Sequence, residues 1–258
     1  MKETQYALVA VPAAPVRRKP VHSREMVNQL LFGEPVKILK ERGERWVKVR
    51  SLPDRYEGWI TRNMLVQVER KVAETRCPMV VTDIVGKLTI GDMPMHVPAG
   101  ASLPGYKDGK GMLGETAYEF SGYGRDRDAE PVSSTAVEQL ALSWLNAPYL
   151  WGGRTPLGVD CSGFVQVIYK MVGIDLPRDA WQQAQVGTAV KKLEETRTGD
   201  LAFFDEKEEI VHTGILLGND RIIHASGKVR IDGISSKGII QAETGKRTAR
   251  LRAIRRVW

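Results

Sequence analysis

A cysteine at the head of a helix and two histidines on neighbouring strands are the residues of this chain best suited to chemistry. Cys161 follows Asp160 at the start of CSGFVQVIYKMVG, where Phe164, Ile168, Met171 and Val172 recur at helical spacing and Gly173 supplies a stop. The pattern predicts an amphipathic helix with the thiol in its first turn. There the thiol meets unpaired backbone N–H groups and the positive end of the helix dipole, both of which favour thiolate. His212 in IVHTG and His224 in IIHAS fall on two predicted strands joined by the turn-like LGND. A hairpin centred on Gly218 places the two histidines directly opposite on one face, with Cβ atoms about 4.5 to 5.5 Å apart. A thiol hydrolase needs a nucleophile, a base within hydrogen-bond reach and a third polar group that fixes the tautomer of the base. Cys161, His212 and His224 supply those roles in that order. His22 and His96 lack such neighbours and read as surface or structural residues, and Cys77, next to Pro78, reads as a structural thiol. No His, Cys, Asp or Glu set has zinc spacing such as HExxH or paired CxxC, and no phosphate loop is present, so the chemistry is expected to need no metal and no cofactor.

Two kinds of sequence surround these residues. From residue 1 to about 120, short strand-like runs (YALVAV, EPVKIL, RWVKV, EGWI) are broken by Gly and Pro, and a second series (MVVTDIV, KLTIG, PMHVP, TAYEF) follows Lys71. Strands this short protect their edges by closing or stacking, which predicts two small all-β barrels, residues 1–70 and 71–128. SGYGRDRDAEP, rich in Gly and charge, has the composition of a linker. Beyond it, residues 129–258 read as an α+β domain with helices first and an antiparallel sheet after. Thr135 and Glu138 form a predicted capping box opening AVEQLALSWLN, and LAFFD, IVHTGILL, RIIHAS and RLRAIRRVW are the later strands.

The composition is that of an ordinary globular protein. Of 258 residues, 42% are hydrophobic and 27% charged, which supports a packed core, and two cysteines exclude a disulfide framework. The formal net charge of +7 is spread among acidic residues, as in KILKERGERWVKVR, so mixed solvated faces rather than a nucleic-acid-binding stripe are expected. The apolar run from Tyr6 to Val16 carries Pro12 and Pro15 and is too short for a membrane span of about 20 residues. Its basic cluster follows the apolar run, where a secretory signal has its charge first, so the chain reads as cytoplasmic, with an already processed, exported protein as the alternative.

YLWGGRTPLGVDCSGFVQ, LPRDAWQQ, TGDLAFFD, VHTGILL and IIHASG together resemble the NlpC-type cell-wall cysteine peptidases, a papain-like family, over residues 135 to 256. The resemblance implies Cys161 as nucleophile, His212 as base and His224 as the orienting third member. It implies further that Asp160 holds a substrate amine, that Asp160 and Ser162 shape the site, that the Cys161 backbone N–H contributes to an oxyanion hole, and that Tyr149 and Trp151 form a cleft wall.

The N-terminal half resembles bacterial SH3-like domains, most clearly in EPVKILKERGERWVKVRSLPDRYEGWI. Two such modules before an NlpC-type domain resemble the γ-D-glutamyl-L-diamino acid endopeptidases, of the dipeptidyl-peptidase VI type, which act on free muropeptides. In that subgroup the first barrel closes over the active site and supplies a glutamate and a tyrosine that recognise a free L-Ala amine. The matching positions are Glu25 in SREMVNQLLFGE and Tyr56 in RYEGW. Read on its own, Glu25 is a solvated helix-face carboxylate. Ala180 stands where the resembling enzymes often carry serine, leaving Arg154 or Arg178 as candidates for the substrate carboxylate, since a guanidinium matches it in bidentate geometry. The implied partner is a peptidoglycan-derived peptide. The alternatives are an N-acetylmuramoyl-L-alanine amidase and a non-catalytic peptidoglycan-binding protein.

Overall fold

The structure, a computed structural model, describes residues 5–258. It divides into two compact units, one running to Ala129 and taking in Trp151–Thr155, the other made of Glu130–Leu150 and Pro156–Trp258. In the first unit, β1 (Tyr6–Val9), β2 (Ala13–Arg17), β3 (Met26–Leu31), β4 (Pro35–Arg42), β5 (Trp46–Ser51), β6 (Glu57–Thr61) and β7 (Leu65–Val68) form one sheet ordered β3-β2-β6-β5-β4-β1-β7. Strict alternation in WVKVRS turns Val47, Val49 and Ser51 inward while Trp46, Lys48 and Arg50 stay partly exposed. All four residues of β1 are buried, because each of its faces meets a core. Ala7 and Val9 join Val16, Leu30, Val36, Val49 and Ile60, while Leu8 packs with Phe32, Leu88, Leu113 and Tyr118.

That second core belongs to the next series of elements. After α1 (Arg70–Glu74) come β8 (Met79–Val81), β9 (Val85–Ile90), β10 (Met93–Pro98), β11 (Lys110–Leu113), β12 (Thr116–Ser121) and β13 (Gly124–Asp126). Four of them form a sheet ordered β10-β9-β12-β11, and β13 pairs with β8. A short β14 (Arg154–Thr155) completes the unit. The segment before it presses on β3: a Cβ at Gly152, whose φ is +76°, would stand 2.8 Å from the Met26 carbonyl oxygen.

The second unit opens with α2 (Ser134–Leu142). Its cap is Ser133, whose hydroxyl accepts the Ala136 N–H, so the helix starts ahead of the expected Thr135 cap. β15 (Gly158–Val159) leads into α3 (Cys161–Met171), capped by Asp160 as expected, with its carboxylate accepting the Gly163 N–H at 2.7 Å. The amphipathic pattern of α3 leaves no face exposed: all eleven residues are buried, and on the polar side the Gln166 amide donates to the Leu176 carbonyl. After α4 (Ala180–Gln183) and β16 (Thr188–Ala189), six strands follow: β17 (Leu201–Glu206), β18 (Glu209–Leu216), β19 (Arg221–Ser226), β20 (Lys228–Ser235), β21 (Gly238–Ile240) and β22 (Arg247–Arg256). They pair in that order, and β22 closes on both β17 and β21, so the antiparallel sheet is a six-stranded barrel. Ala202, Phe204, Leu216, Ile222, Ile234, Ile239 and Ile254 make one core, and α3 packs against β18 and β19.

Candidate active site

Cys161 opens the buried helix α3, and its sulfur lies against β18 on both sides of His212. Sγ is 4.0 Å from the Val211 carbonyl and receives backbone N–H groups from Thr213 and Ser162. This position exists because the β18–β19 ladder pairs only Ile215↔Ile223 and Leu216↔Ile222 among the described residues. On its β19 side the strand is therefore not laddered at Val211 and Thr213, while on the other side Thr213 pairs with Phe203 of β17.

The histidine pair forms through a register different from the expected one. The observed pairs centre the hairpin on Asn219, one residue beyond Gly218, because Leu217 N–H bonds to the Arg221 carbonyl and Gly218, Asn219 and Asp220 make the turn. Continued outward, that register sets His224 opposite Gly214 and His212 opposite Ser226. The two rings are therefore diagonal neighbours on one face, still within reach of long side chains. His212 Nε2 lies 2.8 Å from His224 Nδ1, with the rings nearly perpendicular. His224, 3% exposed, turns its other nitrogen to Asp232 on β20, Nε2 to Oδ2 3.0 Å. Asp232 also accepts from Arg230 at 2.8 Å and from the Ala242 N–H at 2.9 Å, and Arg230 reaches on to Glu243. None of these three residues was singled out in the sequence, although a readable signal existed. In VRIDGIS, Asp232 shares its parity with the core residue Ile234 and with Arg230, which places a carboxylate and a cation on one inward-facing side of the strand.

Electrostatics at the site favour neutral groups. Burial pushes the Cys161 thiol up to about 12, Asp160 adds to the rise, and the N–H groups of Thr213 and Ser162, with Arg178, offset it only in part. The dipole argument for a resting thiolate is thus overruled by desolvation. Burial, then the neighbouring His224, brings His212 down to about 3. Thiol and imidazole are both uncharged between these limits. Asp232 is held well below the usual carboxylate range: burial opposes its charge, but the bonds from His224, Arg230 and Ala242 prevail.

Asp160 and Ser162 flank the nucleophile and are tied together from below. Arg178 donates to Asp160 Oδ2 at 2.6 Å and to Ser162 Oγ at 2.8 Å, and Gln183 Nε2 holds the Ser162 carbonyl at 3.0 Å. Tyr149, exposed over about a third of its surface (37%), belongs to the same neighbourhood, its hydroxyl raised to about 12 by partial desolvation and then by Cys161 and Asp160.

The remaining expected site residues lie in the first unit. Glu25 precedes β3, so it stands on no helix. Its Oε1 accepts the Trp151 indole N–H at 2.9 Å, and Arg18 pairs with its other oxygen at 2.9 Å. The Trp151 ring is otherwise 59% exposed. The Tyr56 hydroxyl is 3.5 Å from the Val27 carbonyl on β3. Arg154, one of the two candidate carboxylate binders, is committed within this unit to a bidentate, buried pair with Glu34 at 2.8 and 2.9 Å. The other, Arg178, is held by Asp160 and Ser162.

A buried cysteine on a capped helix, against a strand bearing the first of two bonded histidines, defines a thiol-hydrolase-like centre on a small antiparallel barrel. Residues 146–248 match the NlpC/P60 family and residues 16–65 match the bacterial dipeptidyl-peptidase SH3 domain, and the chain belongs to the NlpC/P60 family. It is similar to the gamma-D-glutamyl-L-lysine dipeptidyl-peptidase of Bacillus subtilis (strain 168), 33% identical over 215 residues, covering 77% of this chain and 71% of the relative. It is also similar to dipeptidyl-peptidase 6 of Lysinibacillus sphaericus, 29% identical over 244 residues, 85% of this chain and 87% of that one. Its fold matches the crystal structure of an NlpC/P60 family protein from Bacillus cereus with a TM-score of 0.82 at 23% identity, covering 98% and 99% of the two chains. No helix among the described residues is long and apolar enough to cross a membrane.

Proposed function

We propose that this chain is a cysteine peptidase that hydrolyses the γ-D-glutamyl-diamino acid bond of peptidoglycan-derived peptides bearing a free N-terminal L-Ala. The observation that carries the reading is the seating of Cys161 Sγ against the backbone on either side of His212, whose ring is bonded to His224. In this reading Cys161, His212 and His224 are the catalytic triad of a papain-like domain, residues 129–258. Residues 1–70 and 71–128 are two SH3-like modules. Glu25 and Tyr56 recognise the free amine, and Tyr149, Trp151, Asp160 and Ser162 shape substrate binding. The likeness to two dipeptidyl-peptidases over most of their lengths supports the substrate class.

The chemistry follows from a neutral pair. As Sγ attacks the γ-carbonyl carbon, the thiol proton moves to His212 Nδ1, the ring nitrogen not bonded to His224. The Cys161 backbone N–H, unpaired at the helix start, stabilises the oxyanion. The tetrahedral intermediate collapses to a thioester as His212 protonates the leaving amine of the diamino acid. Water, deprotonated by His212, then releases L-Ala-D-Glu and restores the thiol.

The test uses L-Ala-γ-D-Glu-L-Lys and its diaminopimelate counterpart, each with free and N-acetylated L-Ala. Release of the free diamino acid from the uncapped peptides, abolished by Cys161→Ala and by acetylation, is the expected result. No product from the wild type, or undiminished product from Cys161→Ala, overturns the reading. Cleavage of a muramoyl-L-Ala bond instead points to an amidase.

A further inference from the structure

Asp232 is a buried carboxylate for which the reaction above has no use. It is 4% exposed and stands opposite Ile222 in the β19–β20 ladder. A charge in such a place is costly unless every oxygen is satisfied, and here both are. Oδ1 takes Arg230 at 2.8 Å and the Ala242 N–H at 2.9 Å, which leaves Oδ2 for His224 Nε2 at 3.0 Å.

This allocation dictates where the hydrogens sit along the two rings. An ionised carboxylate only accepts hydrogen bonds, so His224 Nε2 carries a hydrogen. In the neutral ring His224 Nδ1 is then bare, and His212 Nε2, 2.8 Å away, must donate to it. His212 therefore keeps its one hydrogen on Nε2, and its Nδ1 is free to accept a proton. The bond between the histidines alone does not decide this. Reversed, with His224 donating from Nδ1, it is satisfied equally well and leaves His212 protonated on Nδ1, where the base is blocked.

We propose that Asp232 is a positioning residue of the active site, which breaks the symmetry of the His212–His224 bond so that His212 presents a bare Nδ1 to the Cys161 thiol. The inference rests on the catalytic roles proposed above for Cys161 and His212. During acylation the thiol proton forms an imidazolium at His212 whose Nε2–H still donates to His224, which still donates to Asp232. The proton remains on His212 until the leaving amine takes it, and Asp232 is never protonated.

The tautomers can be read directly by nitrogen-15 NMR of histidine-labelled full-length protein, beside steady-state kinetics on L-Ala-γ-D-Glu-L-Lys. In the wild type, His212 shows a protonated Nε2 and an unprotonated Nδ1. Asp232→Asn, whose amide can donate to His224, mixes or reverses that pattern. Its kcat falls about 100-fold with KM unchanged, a smaller loss than the roughly 10⁴-fold that follows when a carboxylate touching the base itself is neutralised. Asp232→Glu restores the wild-type tautomers and most of kcat. A wild-type His212 protonated on Nδ1, or an Asp232→Asn protein with unchanged tautomers and kcat, overturns the proposal. If Asp232→Asn does not fold, the wild-type and Asp232→Glu measurements decide it. If the wild type hydrolyses no peptide, the hydrolase reading fails, while the wild-type tautomers still decide the role of Asp232.

Discussion

His212 Nε2 and His224 Nδ1 meet at 2.8 Å although the strand register sets His212 two residues away from the position facing His224. The residue facing His224 is Gly214, and its lack of a side chain leaves His224 its place. A Cβ there would stand 2.8 Å from His224 Cβ, 2.8 Å from Ile222 Cδ1 and 2.9 Å from the Ile223 carbonyl oxygen.

Gly214→Ala is therefore expected to cost about 1 to 3 kcal/mol of stability, the usual penalty for overpacking, and to lower kcat by displacing His224. Urea unfolding and peptide turnover measure both. An alanine variant with wild-type stability and kcat shows that the glycine is incidental.

Cys161 is held as a thiol up to about 12, so the rate at which iodoacetamide alkylates it should keep rising with pH. From pH 7 to pH 10 the logarithm of the rate should climb with a slope near one, roughly tenfold per unit, because only the thiolate reacts. A plateau below pH 8 would reveal a preformed thiolate–imidazolium pair instead.

Burial of neutral His212 makes the fold acid-sensitive. Its folded value is about 3 against 6.5 for the free side chain, so the unfolded chain binds a proton that the folded chain refuses. The resulting stability is complete above about 6.5 and is lost as the pH falls toward 3. His212→Gln should flatten that part of the stability curve in denaturant titrations from pH 7 to pH 4. An unchanged slope would contradict this assignment.

Arg178 and Asp160 form a buried ion pair beneath the nucleophile, at 2.6 Å. Arg178→Met strands the carboxylate and should cost about 3 to 5 kcal/mol, whereas the double change Arg178→Met, Asp160→Asn should cost less than the sum of the single changes. Strict additivity in the urea midpoints would show that the pair is not coupled.

Local signals in the sequence carried far, and long-range ones did not. Asp160 ahead of CSGF marks a helix start because capping is decided within three residues, and α3 begins at Cys161. Strand parity puts His212 and His224 on one face, but the register slips because the turn is built on Gly218, Asn219 and Asp220 rather than centred on Gly218. Asp232 enters from a third strand, whose pairing no local pattern announces. The Trp151–Glu25 bond joins residues 126 positions apart, beyond the reach of any periodicity. The charge state of the thiol is decided at longer range: the helix dipole is visible in sequence, whereas the burial that outweighs it arises only when α3 packs against β18 and β19.

The most direct test is mass spectrometry of acid-quenched reactions with L-Ala-γ-D-Glu-L-Lys, followed by peptide mapping. An L-Ala-D-Glu acyl group on Cys161 during turnover, missing from Cys161→Ala together with all lysine release, is the predicted result. An acyl group on another residue, or lysine release that survives in Cys161→Ala, would contradict the account.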